Sequence, residues 1–355
     1  MSATYVLHVG LPKTGTSYLQ AVLKAHRREL KGDGVLYPRF GDKRGRFLAA
    51  LDGRDSHQYA GVRHHADGQW RRFVEATENF DGTVVFSHEI FGAPTSKKPP
   101  TALTELAGKD VHVVMTARDP GRQLISTWQQ HLRFRSPHTF AEYLEYCDFE
   151  PQTKYAHSKF RNQHVDSVLR AWGQFLPPDH IHLVVVPPRG TPVSVLWERF
   201  CRVTGIDAVR FAPPDLPVVN PSLGVTQTEY LRRMNVALGD RLPPAEYATV
   251  RKLLVQTLGR TESSPAPTLP DGAYDIATML ADRWIEAIRA EGCDVVGDLD
   301  ELRPVRGKGP APDDWAEHDL ATIGAETSVD LLAQLAKHND PIGVDANTET
   351  DPATT

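Results

Sequence analysis

An apolar run, Tyr5-Val6-Leu7-His8-Val9, leads directly into Gly10-Leu11-Pro12-Lys13-Thr14-Gly15-Thr16-Ser17. Two glycines permit a tight backbone path after a strand, and main-chain amides before and at a helix start point inward at an anion. Downstream, Leu19, Val22, Leu23 and, more weakly, His26 follow i, i+3, i+4, i+7 spacing, which predicts an amphipathic helix. Lys31-Gly32 supplies a cationic last turn and a glycine stop. Strand, glycine loop, helix is the context that a phosphate-binding loop requires. The plain alternative is a strand-to-helix turn rich in small residues.

The octet departs from the nucleotide triphosphatase loop G-x-x-x-x-G-K-[ST], whose lysine reaches the β/γ-phosphates and whose hydroxyl holds Mg²⁺. Gly10, Gly15 and Ser17 keep that spacing, but Thr16 stands in the lysine slot and the loop's lysine is Lys13. A terminal triphosphate would miss its usual cation. The loop amides can still hold an oxyanion, with Lys13 approaching from the loop side.

A second segment, Val113-Val114-Met115-Thr116-Ala117-Arg118-Asp119-Pro120, reads as a strand ending at Arg118. Asp119 suits an N-cap and Pro120 the first helical position. Leu124, Ile125, Trp128 and Leu132 mark the buried face of the helix, and Ser126 lies about two turns in. A guanidinium can hold a phosphate bidentately, and a hydroxyl adds a neutral donor. The competing reading is a salt bridge from Arg118 to Asp119 or another acid, with Ser126 facing solvent. A third segment, Thr83-Val84-Val85-Phe86, ends in Ser87-His88-Glu89, so His88 and Glu89 are candidate bases, or else caps of the following turn.

These segments resemble the sulfotransferases that use 3′-phosphoadenosine 5′-phosphosulfate (PAPS), in a bacterial-type branch. The resemblance is specific over roughly the first 130 residues and diffuse to about residue 205. It implies a three-layer α/β fold of the phosphate-loop type, related to nucleotide kinases, with a central parallel sheet. It also implies that Pro12, Lys13, Thr14, Gly15, Thr16 and Ser17 cradle the 5′-phosphosulfate, that Arg118 and Ser126 bind the 3′-phosphate, and that Lys13 assists the leaving group. Relatives use a histidine or a glutamate as base near the third strand's end. A Ser-x-Glu-like strand end favours Glu89 over His88. The implied reaction is sulfuryl transfer to a hydroxyl or amine of a small-molecule or glycan acceptor, with PAPS as co-substrate and no metal. A small-molecule kinase on the same fold and a non-catalytic nucleotide-binding protein are the rivals.

Five short apolar runs, 5–9, 35–37, 83–86, 111–116 and 181–186, predict about five strands. They are nearly continuous in hydrophobicity, as in parallel strands covered on both faces. Helical patterns between most of them give an α/β rhythm. Residues 41–70 read as a polar insertion, a loop or short helices over the site's edge. The expected division is a core over 1–210, a C-terminal wrap and helices over 211–338, and a disordered tail over 339–355. Helices are expected near 195–203, 226–238, 246–258, 273–290 and 329–337.

With 40 basic and 45 acidic residues the net charge is −5, and four of those acids (Asp340, Asp345, Glu349 and Asp351) lie in the tail. The body is nearly neutral, which argues against nucleic acid or an anionic membrane as partner. Cys147, Cys201 and Cys293 are too widely spaced for a disulfide framework or a metal site. His57, His64 and His65 lack a third ligand at metal spacing and read as surface residues. Arg303, Arg306 and Lys308 around Gly307 and Gly309 form a basic loop, able to contact phosphate but read first as solvated. The chain starts in a strand and has no run of ~18 apolar residues, so a cytoplasmic protein without a membrane anchor is expected. The acceptor and the oligomeric state are not legible.

Overall fold

A computed structural model of the chain describes residues 3–40, 43–54, 65–92, 100–149, 160–215, 223–261 and 264–338. Among them are six strands: β1 (Thr4–His8), β2 (Val35–Leu36), β3 (Thr83–Ser87), β4 (Asp110–Ala117), β5 (Ile181–Val185) and β6 (Asp294–Val296). They form one all-parallel sheet in the order β2-β3-β1-β4-β5-β6. The chain visits one side of β1 and then the other, so β1 sits at the switch point where open α/β sheets bind ligands beyond their carboxyl ends.

Alternation along the strands feeds two apolar layers. Tyr5, Leu7, Val113, Met115, Leu183 and Val185 face one side. There they meet α3 (Lys43–Gly53), α4 (Gln69–Thr77), α6 (Pro120–Arg133), α8 (Val165–Gly173) and α12 (Asp271–Glu291), with α5 (Thr101–Glu105) and α7 (Phe140–Glu145) beside them. Val6, Val85, Val114 and Val184 face the other side, against α1 (Thr16–Ala25), α2 (Arg27–Gly32) and α9 (Ser194–Thr204). The architecture is therefore a three-layer α/β fold.

Three expectations need correction. The sheet has six strands rather than about five, and β6 comes from beyond residue 210. It is a three-residue edge strand with Asp294 exposed, too short and too polar to stand out as a pattern. The first helix is two helices, broken at His26. His26 bonds the Ala212 carbonyl through Nε2 (2.9 Å) and lies edge-on to Phe211, so it docks the chain after α9 instead of extending the α1 stripe.

The third concerns the last helix. α10 (Val225–Leu238) and α11 (Pro244–Leu258) lie close to their expected positions, but α13 runs Glu317–His338 and begins twelve residues before the expected 329. Its first half buries Leu320, Ile323 and the polar Thr327, which blurs the apolar stripe. In the insertion, α3 and Arg54 are described while residues 55–64, with His57 and His64, lie outside the described residues. His65 is exposed, and the tail 339–355 is also outside the described residues.

Candidate active site

Every strand being parallel, the ends of β1, β3, β4 and β5 open on one edge. The loop after β1 takes three left-handed residues, Gly10 (φ 59°), Lys13 (φ 71°) and Gly15 (φ 91°). Both glycines are also sterically required. A Cβ at Gly10 would lie 2.8 Å from the Thr16 hydroxyl and 3.5 Å from the Cα and Cβ of Glu89; at Gly15 it would lie 2.4 Å from Leu196. The loop therefore closes against the end of β3 on one side and α9 on the other. Lys13 bears the left-handed strain without glycine's freedom, which costs of order 1 kcal/mol.

Thr16, at the start of α1, is buried, and its Oγ1 has no hydrogen-bond partner among the described residues. A buried unbonded hydroxyl costs stability, so such a group beside free helix-start amides is suited to an oxyanion. Ser17 is exposed at the same helix start. Thr14 turns inward, donating to the Leu11 carbonyl (2.6 Å) and touching Thr116 Oγ1 (2.6 Å). Its role is to brace the loop. Pro12 holds the loop from the far side, its carbonyl accepting from Gln123 on α6.

Beneath the loop lies a buried polar chain that sequence reasoning missed. His8 meets Ser87 Oγ through Nδ1 (2.8 Å) and Thr116 Oγ1 through Nε2 (3.3 Å), and Gln20 of α1 donates to the Ser87 carbonyl (2.9 Å). It links three adjacent strand ends to the loop and to α1. Complete burial pushes the His8 imidazole down to about 3, so the ring stays neutral and braces the site without adding charge. The only signal was a histidine in an otherwise apolar strand.

Lys13 is largely buried, and that burial, reinforced by Arg133 and Arg118 and opposed by Glu89, lowers its ammonium to about 8. The loop lysine, the β4-end arginine and the β3-end glutamate thus share one electrostatic neighbourhood. Arg118 makes no ion pair with a described residue. Asp119 is instead taken by Arg122, whose backbone N–H it also caps (2.8 Å). Arg118 Nη2 donates to the Arg122 carbonyl (2.8 Å), while its Nε is buried and has no partner among the described residues. Burial lowers this guanidinium, Arg122 and Arg189 push the same way and Asp119 opposes; a guanidinium remains protonated at neutral pH.

Arg118 and Ser126 line one cavity of about 560 Å³, within the size range of small-molecule sites. Arg122, Arg189, Arg303 and Arg306 line it too, so the 303–309 loop reaches this cavity after all. Arg303 and Arg306 keep acidic partners, Asp282 and Asp271. The loop after β1 does not line the cavity; Arg118 lines it and also acts electrostatically on Lys13 of the loop.

At the end of β3, His88 Nδ1 and a Glu89 carboxylate oxygen lie 3.8 Å apart. His88 Nδ1 accepts from the Ile90 N–H (3.1 Å), and its ring faces Phe47 of α3. Burial and Arg46 lower its imidazole, against Glu89. With Nδ1 engaged as an acceptor, the remaining ring nitrogen carries the proton and has no lone pair to offer. Glu89 lies beside Gly10 and is 43 % exposed. Of the two, Glu89 faces the loop.

No family model, curated protein or solved structure matches the chain. Among the described residues, no helix is long and apolar enough to cross a membrane.

Proposed function

We propose that this protein transfers the sulfuryl group of PAPS to a hydroxyl or amine of a small-molecule or glycan acceptor. The observation that carries this reading is Arg118: a half-buried guanidinium without a described carboxylate partner, shared between the loop after β1 and an arginine-lined cavity. One anion at the loop and a second in the cavity is what a nucleotide phosphorylated at both 5′ and 3′ positions presents. Thr16 in the lysine slot weighs against a γ-phosphate.

In this reading the loop amides, Thr16 and Ser17 hold the 5′-phosphosulfate, and Arg118 with Ser126 holds the 3′-phosphate. Glu89 accepts the proton from the acceptor's attacking oxygen or nitrogen. A new bond to sulfur forms as the bond from sulfur to the bridging phosphate oxygen breaks. Lys13 stabilises the negative charge that collects on the departing 3′,5′-diphosphate, the electrostatic logic of phosphoryl transfer. The acceptor enters on the Glu89 side, bounded by α3 of the insertion.

Purified protein, PAPS labelled in its sulfuryl group and a panel of hydroxyl and amine acceptors test the proposal directly. Label should pass to at least one acceptor class. Phosphoryl transfer from ATP–Mg with no sulfuryl transfer would instead establish the kinase. Arg118→Ala should weaken binding of adenosine 3′,5′-diphosphate (PAP) at least ~10-fold, matching ~1.5 kcal/mol for a charged hydrogen bond. It should cost 5′-AMP far less, as calorimetry would show; equal losses would remove the 3′-phosphate role.

A further inference from the structure

At the opposite edge of the sheet, the starts of β4, β5 and β6 bring together side chains far apart in sequence. Asp110 opens β4, His180 precedes β5, and His182 pairs in register with Asp294 of β6. One ligand atom from each of Asp110, His112 and His180 lies within 4.8 Å of the others. His112 Nε2 is 3.2 Å and His180 Nδ1 3.8 Å from the same oxygen, Asp110 Oδ1. The His112 and His180 rings stack in parallel, 8° apart with centroids 4.4 Å apart, so one ring must turn for both nitrogens to meet a single ion. Asp110 Oδ2 accepts from the Thr4 hydroxyl (2.9 Å), which orients the carboxylate.

The proton count makes this more than a crowded surface. Asp294 Oδ2 to His182 Nδ1 is 2.8 Å, His182 Nε2 to His112 Nδ1 is 2.9 Å, and His112 Nε2 to Asp110 Oδ1 is 3.2 Å. An ionised carboxylate only accepts. His182 therefore donates from Nδ1 to Asp294 and accepts at Nε2, and His112 donates from Nδ1. With both rings neutral, the His112 Nε2 lone pair then faces the Asp110 carboxylate, acceptor against acceptor. A proton or a metal ion at His112 Nε2 relieves that contact, and the three ligand atoms gathered within 4.8 Å suit the ion.

We propose that Asp110, His112 and His180 bind one divalent transition-metal ion, zinc best matching this nitrogen and oxygen donor set. Two ligands about 2.0–2.1 Å from a tetrahedral centre lie roughly 3.3 Å apart, close to the His112–Asp110 contact, and three protein ligands leave a fourth position for water. His182 and Asp294 supply the outer support that metal-bound histidines usually have, fixing the tautomer and orientation of His112. His180 Nδ1 also lies 3.0 Å from the Val111 carbonyl, so binding through Nδ1 would exchange that contact for the ion. The site lies roughly 23 Å along β4 from Arg118, at ~3.3 Å per residue. It clamps the start of β4 to the turn before β5 and stands independently of the PAPS reading.

Protein without a polyhistidine tag, dialysed against EDTA, should take up one equivalent of Zn²⁺ by calorimetry and show a higher Tm with the ion. Co²⁺ in its place should give the visible bands of a low-coordinate N/O site. His112→Gln and His180→Gln should each abolish stoichiometric uptake, while Asp294→Asn should weaken it about 10-fold. Circular dichroism of the metal-free variants checks that they fold, and Asp110→Asn is a further ligand variant. Absence of saturable one-equivalent uptake, the result if a proton on His112 fills the gap, overturns the proposal. So does equal uptake by wild type and the ligand variants.

Discussion

Lys13→Met is expected to lower sulfuryl-transfer turnover by about 10²–10³-fold, the loss that follows removal of one transition-state charge stabiliser. PAP binding should weaken much less, because the lysine's charge matters most as the leaving group develops. An unchanged turnover number with only a raised KM would mean that Lys13 merely anchors the ground-state phosphate.

The same variant should be more stable without ligand. Burial lowers this ammonium from 10.5 to about 8, so the folded state carries the charge at a cost of about 3 kcal/mol at neutral pH. The left-handed strain at residue 13 is common to both proteins and cancels. Above about pH 8 the folded protein holds fewer protons than the unfolded chain, whose lysine titrates near 10.5. Wild-type stability should therefore gain a rising contribution between those values that Lys13→Met lacks. Activity should move oppositely: kcat/KM needs the cation and should fall as pH rises through about 8.

Glu89→Gln keeps size and most hydrogen bonding but removes basicity, so turnover should fall ~10²-fold or more while PAP binding is retained. His88→Asn should be milder, because His88 spends its free lone pair on the Ile90 N–H and turns toward α3. A reversed ranking, with a basic limb near histidine's ordinary value of ~6.5, would hand the role to His88. If neither change slows an identified sulfation, the end of β3 is only structural.

The parts of this account that were legible in the sequence are local ones. Strand, glycine loop and helix follow one another within 25 residues, and the Asp119–Pro120 helix start is written in adjacent positions. Such signals depend on backbone preference and short-range spacing. What could not be read depends on chain segments that meet only after folding. His8 and Thr116 are 108 residues apart, and the Arg303–Arg306 loop joins Arg118 only because β6 brings the C-terminal segment alongside β5. Asp110 and His112 of β4 meet His180, in the turn before β5, only after folding. That His88 accepts from the Ile90 N–H while Glu89 lies beside Gly10 depends on the path of the chain after β3, which the sequence does not show.

The central claim is that the crevice takes a nucleotide with phosphate at both ends of its ribose. Calorimetric titration with PAP, 5′-AMP and ATP–Mg under one set of conditions tests it most directly. PAP should bind at least ~10-fold more tightly than 5′-AMP, the value of one charged phosphate contact at Arg118, and ATP–Mg should be the weakest of the three. Tighter binding of ATP–Mg than of PAP, or equal binding of PAP and 5′-AMP, would contradict the account.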